Sequence, residues 1–185
     1  MTSPNAQIFK QLQQLFAQFI EQHQEKYQCL PKVEYDEQWP SDCQQSEIND
    51  GLIEWQPVEI AKPLSFDNVE TALEISLNPE FVAYFSCFYS EAVPANCSEG
   101  YLELLFAWSH NDFERLQQNL IGHILMKQKL KQAITLFFAV TDEDDIILSV
   151  NNNTGEVWAE KVGSEPHKKL ANSLSEFLTS LTITL

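Results

Sequence analysis

The sequence predicts an α+β fold, a mainly antiparallel sheet flanked by helices. One observation is the order of its patterned segments: helix, irregular stretch, strand, helix, three consecutive strands, helix. Another is that the three consecutive strands are separated by short turn-rich stretches, which favours hairpins over crossovers. The third is composition. With 44% apolar and 11% aromatic residues but only 5 Gly and 8 Pro, the 185-residue chain buries a core unaided, which excludes fibrous and disordered classes. Residues 1–185 are expected to form one domain.

The first element is an amphipathic helix, because Ile8, Leu12, Leu15, Phe16, Phe19 and Ile20 fall on one stripe of a 3.6-residue period. Asn5, or Ser3 followed by Pro4, is its expected cap. From Cys29 to Pro63 four prolines break the pattern, leaving a short extended stretch, residues 51–56, that alternates toward Trp55. Residues 68–75 read as a short helix, and Pro79 opens another through Phe88. Tyr101 to Trp108 is strand-like. Asn111 with Glu114 suggests a capping box for a long helix over 112–130, with Phe113, Leu116, Leu120, Ile121, Ile124 and Leu125 on its apolar face. Lys127, Lys129 and Lys131 suit the negative end of its dipole. Residues 134–140, 146–150 and 156–162 are the three strands. Ser164 and Pro166 are then expected to start a last helix carrying Leu170, Leu174, Phe177, Leu178 and Leu181.

Charge is the unusual property. The formal net charge is −16, and residues 33–114 hold all of it, with 17 acids against the single base Lys62. Those acids alternate with aromatic residues, so the segment is expected to fold and present a surface of one sign that steers a cationic partner. The same imbalance argues against nucleic acid, which is bound through neutralisation of its phosphates. No apolar run approaches the length of a spanning helix, and Met1 to Lys10 lacks a signal-peptide pattern, so a cytoplasmic location is expected. The four cysteines are far apart and read as reduced, mostly buried thiols.

Catalytic signatures are missing from the sequence. It has no dinucleotide-binding or Walker glycine loop, no nucleophile elbow and no zinc-protease motif, and neither cofactor nor metal is expected. His23 is placed on a polar helix face, His110 in a loop and His167 in a first turn. His123 alone reads as half-buried, more as a packed side chain than as a base. Asp142 to Asp145 lacks the glycine and distal glutamate of a calcium loop and reads as a solvated hairpin turn.

Several stretches carry a family likeness. Trp108-Ser109-x-x-Asp112-Phe113, Gln117-x-Asn119-Leu120-Ile121-Gly122-His123 and Gln128-Lys129-Leu130-Lys131 resemble the Syd family of bacterial SecY-interacting proteins. The likeness extends upstream through Trp55-Gln56-Pro57. Downstream it continues through residues 149–157 and 170–178, so it covers nearly the whole chain. It implies a SUKH-type α+β fold and a non-enzymatic protein, peripheral on the cytoplasmic face of the inner membrane. There the family docks on the cytosolic loops of SecY and monitors or modulates assembly of the translocation channel.

Composition supplies a reason for such docking, because cytoplasmic loops of membrane proteins are rich in Lys and Arg. Bare lipid is a poor target: the inner leaflet is anionic, and the chain carries neither a basic amphipathic helix nor a lipidation motif. Attachment is therefore expected through a protein receptor. The expected binding surface is an acidic concavity with Glu54, Glu103, Asp112 and Glu114 at its wall and Trp55 and Trp108 as aromatic contacts. Two other readings compete with it, an immunity-like protein that neutralises a basic toxin and a hydrolase using two of the many carboxylates.

Overall fold

The computed structural model describes residues 4–62 and 64–185. Helix α1 (Pro4–Tyr27) is followed by three short strands, β1 (Lys32–Glu34), β2 (Leu52–Glu54) and β3 (Val58–Glu59). Helices α2 (Asp67–Leu73) and α3 (Pro79–Cys87) lead into β4 (Phe88–Tyr89), β5 (Val93–Cys97) and β6 (Gly100–Leu104). The second half runs α4 (His110–Lys129), β7 (Thr135–Thr141), β8 (Ile146–Asn151), β9 (Val157–Lys161), β10 (Pro166–Ala171), α5 (Leu174–Thr179) and β11 (Thr182–Ile183).

Seven strands form one sheet in the order β10-β9-β8-β7-β6-β5-β11, with every neighbouring pair antiparallel. The register sorts its two faces. Leu136, Val150 and Val157 lie opposite one another and are all buried, while Phe137, Ser149 and Trp158 line up on the other side. A bulge between Phe137 and Ala139 interrupts the β7 ladder. Phe138 packs its ring 5.8 Å from Tyr84 of α3 and 5.7 Å from Phe177 of α5. Phe137 meets His123 of α4 at 5.5 Å on the opposite face. The sheet thus lies between α4 and a layer of α3 and α5, and α1 packs on that layer. The stripe read in α1 is its buried side: Ile8, Leu12, Leu15, Phe16 and Phe19 are at most 7% exposed. Two further ribbons, β1 with β2 and β3 with β4, sit beside the sheet.

Several sequence expectations are corrected. Asn5 lies inside α1, and Ser3, like the breaker Pro63, falls outside the described residues. Helix α4 is capped by Ser109, whose hydroxyl accepts from the Asp112 N–H, so the box begins two residues before Asn111. The strand after Gly100 stops at Leu104. Beyond it, Ala107 bridges in parallel to Tyr89 and its carbonyl accepts from the Ser90 N–H. Leu125 is exposed rather than part of the apolar face.

The largest correction is at the C-terminal end. Residues 166–171 pair with β9 as an edge strand, and the last helix is confined to Leu174–Thr179 with Ser173 as its cap. Leu170 and Leu181 are consequently half-buried, and His167 is an exposed strand residue. Of the four free thiols only Cys43 is buried, and burial pushes it up to about 11.

Candidate functional site

A depression of about 370 Å³ opens beside the N-terminus of α4. Four segments that are distant in sequence build it: β1 and the loop after it, the turn between β4 and β5, the chain leaving β6, and the first turns of α4. Its acids are Glu34, Asp36, Glu91 and Asp112, and of the described residues lining it Arg115 alone is basic. All four carboxylates belong to the segment that carries the charge excess.

The wall at Trp108 is held rigidly. Its indole N–H donates to the Trp39 carbonyl at 3.0 Å, its backbone N–H donates to Asp112 Oδ2 at 2.8 Å, and its carbonyl accepts from the Ser41 hydroxyl. The ring packs edge-on against Trp55 at 6.1 Å. Asp112 thereby closes the start of α4, where its charge is also favoured by the helix dipole. Its other oxygen accepts from Arg115 Nη2 at 2.6 Å, and the Arg115 guanidinium lies 4.7 Å from the Trp39 ring centroid. Burial raises the Glu91 carboxyl above its ordinary value, the Ala92 N–H opposes that rise, and the nearby Asp112 charge adds to it.

The expected site residues separate. Trp108 and Asp112 line the depression, and Trp55 lines a neighbouring apolar groove. Trp55 and Trp108 are 4% and 9% exposed, so both are core side chains that offer at most an edge, and the half-exposed ring at the acidic wall is Trp39. Glu54 stands opposite Lys32 in the small ribbon. Glu103 is on the interior strand β6 and accepts from the Tyr101 hydroxyl at 2.7 Å. Glu114 is exposed, 3.7 Å from His110. These three acids line neither depression. Glu34, Asp36 and Glu91 went unnoticed because they sit in short or irregular stretches without a periodic pattern. Their only signal was membership of the acidic segment.

A second polar cluster lies under α4 and is sealed from these openings. Lys127 donates to Glu160 Oε2 at 3.1 Å and to the Ser164 carbonyl at 2.7 Å, with both charged side chains fully buried. Lys127 therefore does not serve the solvent-facing helix end as its position suggested. The Thr135 hydroxyl donates its only proton to Glu160 Oε1 at 2.9 Å, so it accepts from His123 Nε2 at 3.1 Å. Burial, then the Lys127 charge, lowers His123 to about 4. The Glu160 carboxylate 3.6 Å away does not reverse this, because the Lys127 ammonium already neutralises it. A neutral, largely buried ring ties α4 to the sheet; it is not an exposed base.

Comparison with known proteins now bears on this architecture. The family model described as Syd protein (SUKH-2) matches residues 9–182. The chain belongs to the Syd family. It is 49% identical to Protein Syd of Colwellia psychrerythraea over 191 residues, covering 98% of this chain and 96% of that one. With Protein Syd of Alteromonas mediterranea it shares 51% identity over 152 residues, covering 82% and 84% of the two chains. With that of Pseudoalteromonas atlantica the identity is 40% over 184 residues, covering 98% and 97%. The first and third of these matches run nearly end to end. Among the described residues no helix is long and apolar enough to cross a membrane.

Proposed function

We propose that this Syd-family chain is a non-enzymatic binding protein that docks on the basic cytosolic loops of the SecY translocation channel and monitors or modulates its assembly. The acidic depression carries the reading. Four carboxylates converge there, one of them is matched by Arg115, and a Lys- or Arg-rich loop supplies the charges the others lack. The remaining acidic surface steers such a loop toward the depression from a distance. The protein sits on the cytoplasmic face of the inner membrane as a peripheral subunit held by its receptor, because a net charge of −16 is repelled by anionic lipid.

Co-sedimentation with proteoliposomes of matched anionic lipid content, with and without reconstituted SecY, tests this across a salt series. Binding is expected only where SecY is present. It should weaken as salt rises toward molar, since screening acts over about 8 Å at physiological ionic strength and over less at higher salt. Equal binding to both kinds of vesicle would defeat the receptor reading. SecY-dependent binding indifferent to salt would leave the receptor and remove the electrostatic mechanism.

A further inference from the structure

A second depression, of about 690 Å³, adjoins the acidic one and shares Val33, Glu91 and Ala92 with it. Its long wall is an aromatic row on α1. Phe19, His23 and Tyr27 are spaced four residues apart and so lie one above another, with ring centroids 6.2 Å and 4.7 Å apart. Trp55 extends the row, 5.8 Å from Phe19. His23 Nδ1 lies 3.0 Å from the Cys29 carbonyl oxygen, which holds the ring edge toward the chain and leaves its face in the row. Tyr27 at the row's end is 48% exposed, with the Lys26 ammonium 4.9 Å from its ring centroid.

Charge limits what can occupy this groove. A second copy of the chain brings another −16, and an anionic lipid surface brings further negative charge, so both are repelled by Glu91 at the shared edge together with Glu34, Asp36 and Asp112 beyond it, which outnumber Lys32, the one Lys or Arg among the described residues lining the groove. Glu91 at that edge makes no ion pair among the described residues. The occupant that satisfies both halves is cationic and partly apolar.

We infer that the two depressions act as one site for an extended polypeptide segment carrying an aliphatic or aromatic side chain next to its Lys or Arg residues. The basic heads meet Glu34, Asp36 and Glu91, and the apolar side chain packs on the accessible end of the row, Tyr27 and His23, with the buried Phe19 and Trp55 as the floor behind them. This deepens the docking reading above and rests on it. Charge then sets the rate and orientation of encounter, and the aromatic row sets how long the segment stays.

The test uses two synthetic peptides of equal length and equal Arg content, one with Gly and Ser spacers only and one with two of those spacers replaced by Leu. Calorimetric titration of the full chain should show the Leu peptide binding at least about tenfold tighter, the return for burying one aliphatic side chain. Tyr27→Ser, and Leu30→Ser at a half-buried residue that also lines the groove, should each abolish that gap, with the unfolding midpoint of each variant measured to show that it is folded at the titration temperature. Equal affinity of the two peptides, or a gap that survives both variants, overturns the inference while leaving the acidic reading intact. A gap that persists while Glu34→Gln with Asp36→Asn changes neither affinity, and added salt has no effect, instead overturns the acidic reading.

Discussion

His123 is neutral in the folded chain and free to take a proton in the unfolded one, and that difference becomes a pH response. The folded ring titrates at about 4 and an ordinary histidine at 6.5. As pH falls from 6.5 toward 4 the unfolded state binds the extra proton first, so stability declines through that window and levels off below it. The loss is bounded at about 3 kcal/mol. His123→Gln keeps a donor for Thr135 and removes the titration, so urea unfolding across pH 4 to 7 should give a flatter profile than the parent. Superimposable profiles would mean the ring is not the titrating group. Arg115 makes the opposite kind of contribution, because it is 60% exposed and occupies Asp112 from within the protein. Arg115→Gln should tighten binding of a basic peptide by up to about fivefold in a calorimetric titration. Weaker binding would show instead that Arg115 organises the wall. At this scale sequence reasoning named Asp112 and Trp108, which line the depression, and did not show that Trp55 and Trp108 are almost wholly covered. Alternation tells which face a side chain is on, not whether another element covers that face.

Helix α4 shows which parts of an element are legible. Its body was read from periodicity, and both of its ends depend on geometry that no pattern shows. At the C-terminus Lys131 has φ 57°, and the Gln132 N–H reaches the Lys127 carbonyl while the Lys131 N–H reaches Gln128, the arrangement of a Schellman cap. A lysine in the left-handed region is strained, so Lys131→Gly should raise stability by about 0.5–1 kcal/mol in chemical denaturation. The same helix is pinned to β9 by the buried Lys127–Glu160 pair. Lys127→Met leaves a buried carboxylate unmatched and should cost about 3–5 kcal/mol. Adding Glu160→Leu should recover most of that loss, and failure to recover it would show that packing rather than charge sets the cost. Lys127 and Glu160 are 33 residues apart, a separation at which sequence carries no sign of contact.

For the molecule as a whole, one net charge of −16 predicts two responses of opposite sign to salt. Self-repulsion among the acids disfavours the compact state and is relieved by screening, so the calorimetric Tm should rise between about 10 and 150 mM NaCl, where the Debye length shrinks from roughly 30 to 8 Å. Capture of a basic partner should fall over the same range. If Tm is flat while capture falls, the charge acts only at the depression and not as a general field.

The sequence by itself determined the helical stripes of α1 and α4, the hairpins from β7 to β9, the confinement of charge to residues 33–114 and the Syd-family likeness. Each of these is written in spacing or composition over short distances. Only the tertiary structure decided that Pro166–Ala171 is a strand. A proline followed by polar residues reads locally as a helix start, but it also suits the first position of an edge strand, and Lys168 and Lys169 protect that edge from further pairing. The tertiary structure also brought Glu34, Asp36, Glu91 and Asp112 into one depression and left Glu54, Glu103 and Glu114 outside it. Backbone geometry acts over a few residues and leaves a period behind, whereas convergence follows from how α4 and the small ribbon pack against the sheet, and no stretch of the chain records that on its own.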